Sequence, residues 1–216
     1  LYLPHAADFD EIDKWDGAAV RTELGLADRF VALYAGSFAP HYAIPVMALA
    51  AERLARQYPE FILVLIGTGP DADTLCALLE RRHIRNVRNL GPIPPAEVGK
   101  YLKAADLFLN PLWFQLPGEF VGTKIVEYLA AGRPVISCVP VGELNGLLDE
   151  ARVGLEVAHG DPDALADGIR HYLADREAAA EAGSRARKLA ESRFERNRVV
   201  ATFERELMQA LEQKLR

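Results

Sequence analysis

The chain has 216 residues, is 50% apolar and carries a formal net charge of −6 at pH 7. This size allows one domain or two small ones, and an acidic chain without a basic stripe argues against nucleic acid as its main partner. No apolar run reaches the roughly 18 residues of a membrane-spanning helix, so we predict no transmembrane segment. The two cysteines, Cys76 and Cys138, favour a reducing compartment, and each is predicted to be a buried structural thiol.

Strand-like apolar runs alternate with turns and helical patterns along most of the chain. The predicted strands are FVALYAG, FILVLIGTG, NVRNLG, DLFLNPL, PVISCV and VGLEVA. The predicted helices are a segment from near Pro45 to about Arg56, then DADTLCALLERR, PPAEVGKYLKAA, TKIVEYLAAG, ELNGLLDEA and DPDALADGIRHYL. Continuous apolar strands are typical of parallel sheets covered on both faces. The order therefore predicts an α/β fold, a Rossmann-like doubly wound parallel sheet of about six strands.

The part of the chain after residue 160 has only helical patterns, in about three helices. Asp161 followed by Pro162 is a helix start, and Gly132 followed by Pro134 is a helix stop. The last helix carries an apolar stripe at four-residue spacing, formed by Val199, Phe203, Leu207, Leu211 and Leu215. We predict that this helix is only partly buried on the domain.

Ligands of doubly wound sheets bind beyond the carboxyl ends of the strands. Four loops are predicted there: GSFAPHY, GTGPD, GPIPP and WFQLPGEFVGT. The last leads into a helix with Thr123 as predicted N-cap and Lys124 at the first helical position. The free amides and the dipole of a helix start favour an anion, and Gly122 allows a ligand to approach the backbone closely. Lys124 opposes the dipole by roughly 0.3–1 kcal/mol unless an anion is bound, which points to a phosphate.

A second interpretation needs no ligand. Lys124 and Glu127 are three residues apart on the predicted helix, where an ion pair is worth a few tenths of a kcal/mol, and Glu119 is then a solvated loop residue. Residue chemistry alone leaves both interpretations open. GTGPD lacks G-x-G-x-x-G and the Walker pattern, so Gly67 and Gly69 are predicted to turn the chain. The five histidines are scattered, and we predict no metal site.

The segment from Glu119 to Ile136 resembles the signature of retaining glycosyltransferases of family 4. In that signature two glutamates stand eight positions apart before a Gly-x-Pro-Val-Ile sequence. The chain matches it without a gap at Glu119, Gly122, Glu127, Ala130, Gly132, Pro134, Val135 and Ile136. The earlier blocks follow in the family's order, so the resemblance covers about residues 1–195. It implies a GT-B enzyme, in which two Rossmann-like domains face each other, and the chain resembles the C-terminal, donor-binding half.

The resemblance also implies roles for individual residues. Glu127 would accept hydrogen bonds from the donor ribose, and Glu119 would be the catalytic residue that holds the transferred sugar. Gly122, Thr123 and Lys124 would bind the diphosphate, Gly36 and Ser37 belong to the first donor loop, and the base would lie against the backbone of Ile93. No metal or other cofactor is implied, because the nucleotide-sugar donor is a substrate.

Two departures from the family pattern stand out. The family often has two cations in the first loop, where this chain has Ser37 and Tyr42, so Lys124 is interpreted as the substitute cation. Phe120 and Val121 replace Gly-Phe after Glu119.

The resemblance further predicts three segments. Residues 1–28 would be an interdomain-type segment, residues 29–195 the donor domain and residues 196–216 a C-terminal amphipathic helix. Because the chain starts with Leu1 and an interdomain-like sequence, we expect a fragment that binds its donor but is inactive in transfer. A glycan or lipid-linked acceptor would bind a preceding N-terminal domain, in a cytoplasmic enzyme of polysaccharide biosynthesis that acts, like many members, at the inner membrane face. The alternatives are a nucleotide-sugar epimerase or phosphorylase of the same fold, and a non-catalytic nucleotide-sugar binding module.

Overall fold

The fold is built on one parallel sheet, seen in a computed structural model that describes residues 5–111, 121–138 and 143–214. In these residues the sheet has six strands in the order β3-β2-β1-β4-β5-β6, with all neighbours parallel. The strands are β1 (Phe30–Ala35), β2 (Phe61–Ile66), β3 (Val87–Asn89), β4 (Leu107–Asn110), β5 (Val135–Ser137) and β6 (Gly154–Glu156). The order reverses between β1 and β4, as in doubly wound nucleotide-binding folds. The predicted fold class and strand number are confirmed.

Helices cover both faces of the sheet. They are α1 (Phe9–Asp13), α2 (Gly17–Glu23), α3 (Ile44–Leu54), α4 (Ala72–Arg81), α5 (Pro95–Ala104), α6 (Thr123–Ala130), α7 (Glu143–Ala151), α8 (Pro162–Ala174), α9 (Arg176–Arg193) and α10 (Arg196–Lys214). The caps of two of them follow the sequence expectation: the Asp161 carboxylate accepts hydrogen bonds from the amides of Asp163 and Ala164, and Gly132 ends α6 with φ +74°.

The core lies in two layers, because successive residues of a strand point to opposite faces of the sheet. In β1, Phe30, Ala32 and Tyr34 pack into the layer under α3, α4 and α8. Val31 and Leu33 pack into the layer that includes residues of α1, α2, α5, α6 and α7. Both layers are apolar and almost fully buried, which accounts for the continuous apolar runs in the sequence.

Helices α1 and α2 precede the first strand, in a segment for which we predicted no secondary structure. The carboxylates of Asp8 and Asp16 cap them by accepting hydrogen bonds from the amides of Glu11 and Ala18, respectively. Helix α2 packs so closely on α5 that a Cβ on Gly17 would lie 2.3 Å from the Lys103 carbonyl oxygen. Helices of five and seven residues are too short to show an apolar period, which explains why the pattern missed them. The predicted boundaries at residues 28 and 195 remain predictions.

Helix α10 rests on the domain only near its start. Val199 is buried and Phe203 is half-buried, whereas Leu207 and Leu211 are 42% and 48% exposed. Leu215 lies outside the described residues. Within the described ranges, no helix combines the length and apolarity needed to cross a bilayer.

We expect the second half of α10 to exchange its amide hydrogens much faster than β1 and β2. A helix without tertiary packing is marginal in water, and unpacked elements open with little free energy. Hydrogen-exchange mass spectrometry on a dilute sample would measure this, and dilution is needed because the exposed leucines can drive self-association. Equal protection of residues 205–214 and of the central strands would contradict the prediction.

Candidate functional site

The loops after β1, β2 and β3 are tied together at the carboxyl edge of the sheet. The Gly36 amide donates to the Ile66 carbonyl and the Gly67 amide to the Gly91 carbonyl, both at 2.9 Å. A Cβ on Gly67 would lie 1.8 Å from the Gly36 carbonyl oxygen, and one on Gly69 would lie 2.7 Å from that of Phe38. The two glycines of GTGPD therefore let the loops pack closely, which agrees with the structural interpretation of that motif.

Helix α6 begins at this edge, one residue earlier than predicted. The predicted N-cap Thr123 is already the first helical residue, and the cap is Gly122, which has an extended backbone and no side-chain cap bond. The N-cap assignment of Thr123 was therefore wrong by one position, and Lys124 is the second helical residue. The Thr123 hydroxyl lies 3.1 Å from Nδ1 of His5 instead of capping the helix. Glycine at the cap leaves the first amides of α6 without a side-chain acceptor.

The Lys124 side chain turns toward the end of β1. Its Nζ donates to the Tyr34 hydroxyl at 3.2 Å, and it lies 4.5 Å from the centre of the Tyr34 ring and 3.6 Å from that of Tyr42. Lys124 and Glu127 do not form an ion pair, and no carboxylate among the described residues lies within ion-pairing distance of Nζ. The Lys124–Glu127 ion pair of the second interpretation is therefore not formed, whereas the environment of Glu119, the other part of that interpretation, lies outside the described residues.

Burial lowers the pKa of Lys124 to about 7, from an ordinary value of 10.5. The cause is desolvation, which disfavours the charged form of an amine. A lysine that lacks a described counter-ion and lies half-buried at a helix start is energetically unfavourable as a cation. An anion bound at the same place would favour the charged form of the amine again.

Gly36 provides the space for the ammonium. A Cβ at this position would lie 3.1 Å from Lys124 Nζ and 3.0 Å from the Tyr34 hydroxyl. The next residue, Ser37, has an exposed side chain, and its carbonyl accepts a 2.7 Å hydrogen bond from the Tyr34 hydroxyl. Of the first-loop residues singled out from the sequence, Gly36 therefore lies next to the Lys124 ammonium. Ser37 contributes only its backbone carbonyl, which fixes the Tyr34 hydroxyl.

Glu127 faces a different space, a cavity of about 470 Å³ that it lines together with Ile93. Val98 of α5 and Ile12 and Trp15 of the N-terminal segment form further parts of the wall. Burial raises the pKa of the Glu127 carboxyl. No described residue donates a hydrogen bond to it or pairs with it, so the carboxylate is open to a ligand in the cavity. The structure thus places the predicted ribose and base residues on one wall.

Two tyrosines that the sequence analysis passed over connect the parts of the site. Tyr34 lies in β1 under the Lys124 ammonium. The Tyr128 hydroxyl accepts from the Ala35 amide at 2.8 Å and donates to the Ala35 carbonyl at 3.2 Å, which holds α6 against the end of β1. Burial raises the pKa of both phenols, so both stay protonated donors. A tyrosine in an otherwise apolar run was the available signal, since a buried phenol needs a polar partner.

Glu119 and Phe120 lie outside the described residues, while Val121 is buried. In the described part of the chain, no three His, Cys, Asp or Glu side chains come together as a metal site would require.

Cys138 is buried, and burial raises its pKa to about 12. Cys76 is exposed, so its predicted burial was wrong. It lies on the outer face of α4, whereas Leu75 and Leu78 fill the inner face.

Comparison with known proteins places the chain in a family. The family model described as "Glycosyl transferases group 1" matches residues 19–189. A GDP-mannose-dependent alpha-(1-6)-phosphatidylinositol monomannoside mannosyltransferase of Mycolicibacterium smegmatis is 28% identical over 191 residues, which cover 84% of this chain and 49% of that protein. The curated relatives extend well beyond the match, since the chain spans between 29% and 50% of their lengths.

Solved structures share the fold. HepE of Anabaena, crystallised with UDP, superposes with a TM-score of 0.80 at 24% identity over 96% of this chain and 56% of that one. The C-terminal domain of a group 1 family glycosyl transferase from Francisella tularensis gives a TM-score of 0.68 at 16% identity, over 90% of this chain and 96% of that one. Because the family match covers well over half of its residues, the chain belongs to the group 1 glycosyltransferases.

Proposed function

We propose that this chain is the donor-binding half of a retaining glycosyltransferase of family 4, which transfers a sugar from a nucleoside diphosphate to an acceptor. The observation that carries the proposal is the Lys124 ammonium. It lies half-buried at the start of α6, without a carboxylate partner among the described residues. A diphosphate bound there would meet the ammonium and the first amides of α6, those of Gly122, Thr123 and Lys124, which all favour negative charge.

The nucleoside would occupy the cavity between α5, α6 and the N-terminal segment. Glu127 would accept hydrogen bonds from the ribose hydroxyls, and the base would lie against the backbone of Ile93 on the same wall. A volume of about 470 Å³ is within the range of small-molecule sites. The unpaired carboxylate of Glu127 supports this assignment, because ribose hydroxyls would supply the donors that the described residues do not.

In the reaction, charge develops on the diphosphate as the sugar bond breaks. Fixed donors and cations at the leaving group are an efficient way to stabilise such charge. Lys124 and the α6 amides would stabilise the charge on the leaving diphosphate, so the proposed mechanism requires no metal ion or other cofactor. Glu119 would hold the transferred sugar, and retention of the anomeric configuration is proposed from the family signature. A glycan or lipid-linked acceptor would bind a separate domain. The lengths of relatives support such a separate domain, because this chain covers only about half of the Mycolicibacterium smegmatis mannosyltransferase and of HepE.

The names of relatives point to more than one donor base. One relative is GDP-mannose-dependent, and HepE has been crystallised with UDP and with UDP-glucose. Calorimetric titration of the chain with UDP, GDP and ADP, each beside its nucleoside, tests the proposal. We expect one diphosphate to bind more tightly than its nucleoside and to raise the melting temperature, because a ligand of the native state stabilises it. Absence of binding by all three at millimolar concentration would contradict the proposal.

Replacing Glu127 with alanine should weaken nucleoside and nucleoside diphosphate to the same degree. Both ligands contain the ribose, and its lost hydrogen bonds to a charged group are worth about 1.5–3 kcal/mol, or roughly 10- to 150-fold in affinity. The fold should persist, because the carboxylate makes no hydrogen bond to a described residue. Glu80→Ala, an exposed change on α4, is the matched control. Unchanged calorimetric affinity of Glu127→Ala would remove this residue from the site.

A further inference from the structure

Among the described residues, the Lys124 ammonium is supported by two aromatic rings and by no carboxylate. The Tyr42 ring centre is 3.6 Å from Nζ and the Tyr34 ring centre 4.5 Å, both well within the range of a cation–π contact. The rings are 5.9 Å apart, centre to centre, and inclined by 53°, so they form two adjacent sides of a cage around the cation.

The backbone around the cage fixes both rings. Tyr34 is fully buried in β1, and its hydroxyl accepts from Lys124 while donating to the Ser37 carbonyl. Tyr42 ends a 3₁₀ turn, Pro40–Tyr42, and is followed by Ala43 in the left-handed conformation with φ +45°. That conformation is unfavourable for alanine, which indicates that the position of this turn is held by its surroundings. Ala43 and Ile44 are buried beneath it.

A ring and a carboxylate stabilise an ammonium in different ways. A carboxylate neutralises the charge and would have to be displaced, or would repel an incoming phosphate. An aromatic face attracts the cation through its quadrupole and carries no net charge. The two rings therefore stabilise the ammonium without neutralising it.

We infer that Tyr34 and Tyr42 are positioning residues that hold the Lys124 ammonium toward the diphosphate of the donor without neutralising it. The inference rests on the proposed function, which it deepens. The Tyr42 ring is the closer of the two to Nζ, whereas Tyr34 adds a hydrogen bond from Nζ to its hydroxyl. A cation–π contact favours the charged form of the amine and so opposes the desolvation that lowers the pKa of Lys124.

Two substitutions of Tyr42 separate the ring from the hydroxyl. Tyr42→Leu removes the aromatic face but keeps apolar bulk, and it should weaken the best-bound diphosphate of UDP, GDP and ADP by about 2- to 30-fold, the range of a cation–π contact. Its nucleoside should bind as it does to the wild type. Tyr42→Phe keeps the face and should retain most of the diphosphate affinity. A purely structural role would instead weaken both ligands together or lower the melting temperature of the empty chain.

A second measurement needs no nucleotide. In the wild-type chain the ε-methylene protons of Lys124 should be shifted upfield in the NMR spectrum by the ring currents of the cage. This shift should persist in Tyr42→Phe and largely disappear in Tyr42→Leu. Its absence from the wild type would overturn the cage.

The outcomes distinguish the inference from the proposed function. If Lys124→Met loses diphosphate affinity while Tyr42→Leu binds like the wild type, the inference is wrong and the proposed function stands. If the wild type binds none of the three diphosphates, both are wrong. Selective loss in Tyr42→Leu with rescue in Tyr42→Phe supports both.

Discussion

Replacing Lys124 with methionine should weaken binding of the nucleoside diphosphate by roughly 10- to 150-fold and leave the nucleoside unaffected. The size follows from a charge-assisted hydrogen bond, worth about 1.5–3 kcal/mol. Methionine keeps most of the aliphatic stem against Tyr34 and Tyr42, so the change removes little besides the charge and its donors. Only the diphosphate carries the negative charge that the ammonium would meet. The substitution should therefore lower the affinity for the diphosphate and not that for the nucleoside.

Lys188→Met is the matched control, because Lys188 is an exposed lysine on α9 that does not belong to the proposed site. It should bind both ligands like the wild type. Equal weakening of nucleoside and diphosphate by Lys124→Met would show a general disturbance of the cavity instead of a lost cation, and would contradict the assignment.

The empty Lys124→Met chain should be no less stable than the wild type at neutral or lower pH. The folded pKa of Lys124 is about 7 and its ordinary value is 10.5, so between these pH values the unfolded chain binds more protons than the folded one. Wild-type stability should therefore rise with pH across this window. The variant lacks this rise, so its stability relative to the wild type should be greatest below pH 7. Melting curves between pH 6 and pH 10 measure the difference.

Replacing Gly67 with alanine should destabilise the domain by about 3 kcal/mol or more. Its φ is +143°, a conformation that costs side chains roughly 1–3 kcal/mol, and the new Cβ would lie 1.8 Å from the Gly36 carbonyl oxygen, which forces the two loops apart. For about 200 residues this corresponds to a fall in Tm of roughly 6–12 °C. Donor binding should also weaken, because Gly36 borders the Lys124 ammonium.

Gly146→Ala is the control, since no described part of the chain outside α7 lies within 4 Å of a Cβ at this position. Alanine favours a helix over glycine by up to about 1 kcal/mol, so this variant should be as stable as the wild type or slightly more stable. Thermal unfolding of the two variants side by side distinguishes the effect of the close contact between Gly67 and the Gly36 carbonyl from the effect of replacing any glycine. A Gly67→Ala domain with unchanged Tm would mean that the loops separate at no cost.

The sequence by itself determined the order and kind of most elements. Apolar runs such as FILVLI are long enough for a strand, and their continuity reflects burial on both faces, which is a local property of composition. Helix ends at Asp161 and Gly132 were also readable, because capping depends on one or two residues. The short helices α1 and α2 were not, since their stability comes from packing on α5 and not from a period of their own.

The candidate site divides in the same way. Gly122, Lys124 and Glu127 could be singled out because a lysine at a helix start is a local conflict with the dipole. Whether that conflict is resolved by Glu127 or by something else depends on which side chains surround Nζ. Tyr34 and Tyr42 come from β1 and from the turn after it, more than eighty residues before Lys124 in the chain. Only the packing of α6 against β1 brings these rings to the ammonium, because the strand order sets β1 beside β4 and the helix that follows β4 lies over both.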